Sequence, residues 1–451
     1  MKILHIAHAF PPHNTAGVEV YTHTLCRQLA HNHRVYVFHR ISQPEQKEYT
    51  LRHIEKEGIG IFSINNTFRY CYSFVDLYAN EKITEDLIKV IDEMSPDVVH
   101  VQHIAFLSAT VIKKIKQRNI PVVLTLHDYW YMCPKWHGLR NNLQPCTKFG
   151  RSQFDSECLS CISELLHLKR DSKIIYAFLK KILPLNILTR CKAAYFSAVG
   201  LRKNDISINK LYERASEMKH LLNMVDILLA PSEFVRNKYI EFGIPPEKIN
   251  LLRFGIAGSL ANDKQIKNKH RLCFGFIGTV LPAKGVDVLI EAFNDIRNPN
   301  VELRIYGDLR PYLGFERYPG YLKKIVRNKN ILFMGGFDHQ KIASVFHEID
   351  VLVVPSLWEE NSPLVIQEAF ASGTPVIGSR IGGIPELVTD GVSGLLFTPG
   401  DSQGLREKLE YLTDNPEIIQ KFKENMPKAK NIQEHAREIE EIYAHLIGKN
   451  K

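Results

Sequence analysis

No stretch of the chain reaches about 18 uninterrupted apolar residues, so the sequence offers no membrane-spanning helix. The opening, Met1-Lys2-Ile3-Leu4-His5-Ile6-Ala7-His8, has too short an apolar run for a secretory leader. It reads as a buried strand, which argues against export by the general route. There is no G-x-x-x-x-G-K-[ST] loop, and no G-x-G-x-x-G follows the first strand, so P-loop ATP hydrolysis and NAD redox chemistry lose support. Cysteine is sparse, at 8 in 451 residues. In a chain expected in the cytoplasm this favours thiols or a metal site over a disulfide framework. Disorder and fibrous repeats are excluded as well, because 45% hydrophobic and 24% charged residues are ordinary values for a chain with a large core. Acid is scarce in one block only. Residues 101–200 hold 15 Lys and Arg against 5 Asp and Glu, which accounts for the whole net charge of +9. Such an excess favours a phosphate-rich partner or an anionic membrane surface.

Apolar runs of strand length alternate with longer amphipathic stretches. In the first half the strands are expected at Ile3–Ala9, Val35–His39, Ile59–Ile64, Val98–His103, Val122–His127 and Ile227–Ser232, with helices over Val18–His31, Glu81–Met94 and Ala105–Arg118. The second half repeats the scheme at Cys273–Gly278, Val301–Gly307, Ile331–Met334, Val351–Ser356, Pro375–Ser379 and Gly394–Phe397. Near-continuous Val/Ile/Leu runs mark sheets buried on both faces, and the alternation with helices marks parallel βαβ units. An internal echo joins the halves. Asp226-Ile227-Leu228-Leu229-Ala230-Pro231-Ser232 resembles Asp350-Val351-Leu352-Val353-Val354-Pro355-Ser356, each read as a strand, a Pro-Ser turn and a helix start. The reading is therefore α/β, with two doubly wound domains and a cleft between them. The first covers residues 1–257 with a cysteine-containing insertion over about 129–165, a polar linker follows at 258–269, and the second covers 270–430. A charged amphipathic helix within 431–451 is expected to pack back on the first domain. Ligands of such sheets bind beyond the carboxyl ends of the strands.

The most informative stretch runs from Pro355 to Ile377. A strand ends, a polar loop carries Glu359 and Glu360, and a helix begins near Pro363, a residue suited to a first helical turn. The N–H groups around Ser362 and Leu364–Ile366, with the helix dipole, suit an anion. Glu368 lies one and a half turns further in, where a carboxylate can accept paired ribose hydroxyls.

Glu360 and Glu368 with seven residues between them, followed by Ala-Phe-Ala-Ser-Gly-Thr-Pro-Val-Ile, resemble the E-x7-E signature of glycosyltransferase family 4, retaining sugar-nucleotide transferases of the GT-B fold. The stretches Ile377–Val388, Gly391–Phe397, Gly275–Gly285, Phe10–Glu19 and Leu126–Asp128 are similar to further family segments. The resemblance implies that Glu360 holds donor-sugar hydroxyls and that Glu368 binds the ribose. It also pairs Lys284 with the diphosphate and sets His127 beside the donor sugar, with His103 a weaker candidate. Gly17 lies in a loop where the backbone approaches a phosphate or acceptor. Relatives often carry a second cation within 278–281, where this chain has Thr279-Val280; Arg253 or Arg380 is the expected substitute. Transfer itself requires no cofactor on this reading.

Cys133, Cys146, Cys158 and Cys161 follow with C-x12-C-x11-C-x2-C spacing, read as a structural zinc site or as free thiols, with His137 as a substitute ligand. The apolar and basic segment Leu165–Leu183 reads either as a helix on an anionic membrane surface, near a lipid-linked glycan acceptor, or as a core helix with solvated lysines. Together these place a nucleoside diphosphate sugar transferase in the cytoplasm, at the inner face of the membrane, working in surface polysaccharide or glycolipid assembly. A same-fold epimerase or phosphorylase is the alternative. A zinc-containing nucleic-acid binder is disfavoured, because residues 351–400 carry one Lys or Arg against five acids.

Overall fold

The computed structural model describes residues 1–12, 16–71, 73–140, 143–146, 148–151, 153–167, 206–257, 271–310, 312 and 315–449. The expected linker and most of the segment 165–183 lie outside them. Among the described residues no helix is long and apolar enough to cross a membrane.

The first half forms an eight-stranded sheet of β1 (Lys2–Ala7), β2 (Arg34–Ile41), β3 (Leu51–Lys56), β4 (Ile59–Asn65), β5 (Val98–Val101), β6 (Val122–Thr125), β7 (Ile227–Ala230) and β8 (Ile249–Leu251). Their order is β3-β4-β2-β1-β5-β6-β7-β8, parallel throughout except that β3 runs antiparallel to β4. The second half forms a parallel six-stranded sheet of β9 (Leu272–Ile277), β10 (Val301–Tyr306), β11 (Ile331–Gly335), β12 (Val351–Val354), β13 (Val376–Ser379) and β14 (Gly394–Phe397), in the order β11-β10-β9-β12-β13-β14. Buried side chains cover both faces of each sheet.

Two strands escaped the apolar-run reading for physical reasons. All six residues of β3 are exposed, so the strand carries no core signal. It is made by a tight turn at Glu57-Gly58, both at positive φ, which folds β3 back on β4. β8 is a three-residue strand at the opposite edge of the sheet. The helix expected over Ala105–Arg118 shortens to Val111–Lys116, since Phe106 sits at φ 67, outside the helical region. By contrast, Glu81–Met94 ends as read, with the Asn80 side chain accepting from Ile83 N and Ser95 closing it in the left-handed region.

The internal echo has a structural basis. Asp226 accepts from Val122 N (2.7 Å) and Asp350 from Cys273 N (2.9 Å), so each aspartate pins the start of the neighbouring strand. The two Pro-Ser turns then diverge. Ser232 caps the helix Glu233–Glu241 through Val235 N, whereas after Ser356 seven residues of cleft loop precede the helix Leu364–Ala371. The second turn therefore does not start a helix directly; its serine instead donates to Glu360 (2.6 Å).

The helix Ile432–Lys449 crosses back to the first sheet. Ile432, Ala436, Ile439, Tyr443 and Leu446 form its apolar stripe and pack with Ile3, Phe10, Tyr21, Leu25 and Val35. Its entry is fixed by Ile256 N to Lys430 O (3.0 Å) and Ile432 N to Ile256 O (2.8 Å). Two buried polar contacts tie it further: Tyr21 Oη to His435 Nε2 at 2.7 Å and Tyr443 Oη to His100 Nδ1 at 2.5 Å.

Candidate active site

A cleft of about 870 Å³ opens where the carboxyl ends of the strands of both sheets meet. Its second-sheet wall is built from loops after β9, β10, β11 and β12; its first-sheet wall comes from the loops after β1 and β6. His127, Lys284, Glu360, Glu368, Gly17, Ser362 and Leu364 all line this one space.

Lys284 closes a short turn, Pro282–Lys284, after β9. Its Nζ lies 2.6 Å from Glu360 Oε1 and 5.2 Å from the centre of the Trp358 ring. Glu360 is only 4% exposed, and its carboxylate also accepts from Ser356. Ser362 is buried, accepting from Gln367 Nε2, and Pro363 caps the helix Leu364–Ala371. The Leu364 and Val365 amides open that helix, where no intrahelical acceptor exists. The Ile366 amide, expected to be available, is taken by Pro363 O (3.1 Å). Glu368, also buried, accepts from His339 Nε2 at 2.8 Å. Burial alone lowers the His339 pKa, but the hydrogen bond and charge of Glu368 outweigh it and the net shift is upward.

On the facing wall, His127 stacks on Phe254 (5.2 Å between ring centres) and its Nε2 donates to Gln102 Oε1 (2.9 Å). Burial, with a contribution from His103, lowers its pKa to about 3, so the ring is neutral and Nδ1 is left as an acceptor. The expected donation from this histidine to a sugar hydroxyl is thus turned round, because its proton is already committed to Gln102. Asn361 Nδ2 donates to His127 O and joins the two walls. Gly17 opens the helix Gly17–Leu29 and is not in the preceding loop as expected, and no atom lies within 4 Å of where a Cβ on it would stand.

Two expected residues are elsewhere. Arg253 does not line the cleft; it is held by Glu386, 3.6 Å from Oε2, which also accepts from Glu233 N (2.9 Å) and Phe234 N (2.7 Å) at the start of the helix Glu233–Glu241. Arg380 pairs with Asp390, again outside the cleft. Among the described residues the arginine that does line it is Arg310, after β10, beside its ion-pair partner Asp308. Its loop reaches the position in question, because Tyr312 hydrogen-bonds the Thr279 side chain. The sequence reading missed Arg310, His339 and Ser356. His339 meets Glu368 across 29 residues, while Arg310 and Ser356 pair locally with Asp308 and Glu360, and only Ser356 stood in a quoted motif.

Among the described residues no group of three or more His, Cys, Asp or Glu side chains is arranged to hold a metal ion. Cys133, Cys146, Cys158 and Cys161 are in no disulfide, and burial pushes Cys133 up to about 11. These thiols stand apart from the cleft wall.

Two matches settle the relationship. The model described as Glycosyl transferases group 1 covers residues 260–429, and that described as Glycosyltransferase Family 4 covers 15–155. Together they span well over half of the chain. The chain belongs to glycosyltransferase family 4. This family 4 chain is 29% identical to an uncharacterized glycosyltransferase of Methanocaldococcus jannaschii, over 62% of its own length and 72% of that protein. It is 30% identical to the amylovoran biosynthesis glycosyltransferase of Erwinia amylovora, over 51% of its length and 56% of that protein. Its fold is GT-B: sucrose-phosphate synthase from Thermosynechococcus elongatus superposes with a TM-score of 0.69 at 18% identity, covering 99% of both chains. The Anabaena protein HepE in complex with UDP and glucose gives 0.65 at 16% identity, covering 98% of this chain and 99% of that one.

The glycosyltransferase's buried histidines bear on its acid stability. Burial lowers His5, His127 and His435 from an ordinary value of 6.5 to about 3, and holds His100 well below 6.5. The unfolded chain binds protons at these positions below about pH 6.5 while the folded chain does not, so stability falls with pH across the window from 6.5 to 3. Each histidine contributes up to about 1.4 kcal/mol per pH unit there. Urea midpoints measured from pH 7.5 to 4.5 should fall steeply, and the fall should be smaller in His435→Gln than in wild type.

Proposed function

We propose that the chain is a retaining hexosyltransferase that moves a sugar from a nucleoside diphosphate donor to an acceptor hydroxyl. The observation that carries this is the meeting of Lys284–Glu360 and Glu368 with His127 and Gly17 across one cleft. Glu368 would take the ribose hydroxyls, exchanging its bond to His339, and Glu360 the hydroxyls of the donor sugar. Lys284, Arg310 and the amides of Leu364 and Val365 would balance the charge that grows on the leaving diphosphate, which is where preorganised donors accelerate such a reaction. Two cations suit a group carrying at least two negative charges. His127 would receive a sugar hydroxyl at Nδ1 and help to orient the ring.

Among the described residues of the cleft no side chain stands out as a covalent nucleophile. Attack from the same face, with the departing phosphate taking the acceptor's proton, therefore fits retention best. Closing the cleft would exclude water and limit donor hydrolysis. The name of the Erwinia relative and the UDP ligands of HepE support a uridine nucleotide and a role in surface polysaccharide assembly. The apolar, basic stretch 165–183 supports an acceptor presented at the inner face of a membrane.

Thermal unfolding with UDP, GDP, ADP and their common sugars tests this reading. At about 100 times its dissociation constant one base should stabilise the wild type by roughly 2.7 kcal/mol. Glu368→Ala should lose most of that shift. Absence of any shift in folded wild type would overturn the donor site. Isomerised donor or phosphorolysis, in place of transfer, would identify an epimerase or phosphorylase.

A further inference from the structure

On the wall opposite Lys284, two side chains of the cleft are left with unfilled hydrogen-bonding atoms. Glu19 stands in the first turn of the helix Gly17–Leu29 and is 4% exposed. Its Oε1 faces His8 Nε2 at 3.3 Å, and its Oε2 is buried with no partner. His8, just past β1, is the other half of the pair, and its Nδ1 is likewise buried without a partner. Both residues line the cleft. A buried carboxylate oxygen with no donor is costly and calls for an occupant.

The surroundings fix what that occupant must offer. Burial works to raise the Glu19 pKa, but the hydrogen bond from His8 opposes it and the net shift is downward, so the carboxylate is ionised at neutral pH. The adjacent ring, His103, is 4.4 Å from His8 between centres. Its Nδ1 accepts from Ala105 N (3.2 Å) and its Nε2 donates to Asp128 (2.8 Å), so it spends no donor on the cleft. With His8 Nε2 donating to Glu19, His8 Nδ1 is an acceptor. The two open atoms, Glu19 Oε2 and His8 Nδ1, therefore both ask for donors. A pair of hydroxyls supplies them. A phosphate at neutral pH brings acceptors and negative charge, and Glu19 with Asp128 repels it.

We infer that Glu19 and His8 form the acceptor subsite and that they select an uncharged, hydroxyl-bearing sugar over a phosphorylated one. This rests on the transferase reading above and names the substrate class of its acceptor side. Glu19 and His8 are binding residues here, since the leaving phosphate already takes the proton.

The test uses the full chain with whichever nucleoside diphosphate sugar stabilises it. Transfer is measured to the methyl glycosides of glucose, galactose, mannose and N-acetylglucosamine, and to the 6-phosphates of the same glycosides. The expected result is at least a ten-fold preference for the neutral member of a pair. Glu19→Gln and His8→Gln should each raise the acceptor KM ten-fold or more and leave the donor KM within two-fold. Retention of the wild-type thermal shift with the nucleotide shows that each variant is folded. Preference for the phosphate, an unchanged acceptor KM, or equal effects on donor and acceptor would overturn the subsite. If no glycoside is used, hydrolysis of the donor decides, with water standing in for the acceptor. A ten-fold slower hydrolysis in Glu19→Gln supports the assignment, and an unchanged rate overturns it. Wild type that neither binds nor turns over any donor overturns the transferase reading itself, a result separable from all of these.

Discussion

Replacing Lys284 by alanine should slow transfer by roughly two to three orders of magnitude, the scale set by removing one preorganised donor from a developing anion. Two losses coincide. The diphosphate forfeits a cation, and Glu360 forfeits the partner 2.6 Å from its Oε1 while remaining buried, with Ser356 its remaining donor among the hydrogen bonds described. A second substitution separates them. If Lys284 only neutralises Glu360, then adding Lys284→Ala to a Glu360→Gln chain should slow transfer no further. If it acts on the leaving group, the double variant should be roughly two to three orders of magnitude slower than Glu360→Gln alone. A steady-state kcat within ten-fold of wild type for Lys284→Ala would remove this residue from the chemistry.

The next residue should give the largest change in stability. Gly285 has φ 66, and an added Cβ would stand 1.9 Å from the carbonyl oxygen of Pro355. This turn lies against the loop that begins the cleft wall after β12, where Leu357 N bonds Ala283 O at 2.9 Å. Backbone cannot yield as a side-chain tip can. Gly285→Ala should therefore cost on the order of 3 kcal/mol or more, combining a left-handed residue with a steric overlap. For a half-chain of this size that is roughly 6–12 °C in Tm. A calorimetric Tm within 2 °C of wild type would show that the two loops separate easily. Gly17→Ala is the matched control, since nothing lies within 4 Å of its added methyl.

Much of the fold was legible because the parallel strands are buried on both faces and spell themselves in Val, Ile and Leu. Twelve strands could be read this way; β3 could not, because its place is set by a turn and by backbone pairing to β4. The carboxylates and Lys284 were legible through the resemblance to family 4; by its place in a strand-to-helix turn alone Lys284 reads as a solvated residue. The second cation was not. Arg253 and Arg380 are as basic as Arg310, and their partners, Glu386 and Asp390, keep them out of the cleft. Glu386 and Phe234 are 152 residues apart, a pairing that no local pattern announces. His127 shows the same limit from another side. Its position was readable, but the direction of its hydrogen bond depends on Gln102, which arrives from a different strand end.

The return of the helix Ile432–Lys449 to the first sheet has a consequence for how the molecule is made. Synthesis runs from residue 1 onward, so β1 to β8 leave the ribosome long before the helix that covers one of their faces. Until then Ile3, Phe10, Tyr21, Leu25 and Val35 lack the stripe they pack against, and His100 and Tyr21 lack the partners Tyr443 and His435. The half that is born first is therefore the half that is finished last. A nascent chain stalled anywhere in the second sheet presents an uncovered apolar face to the cell's chaperones.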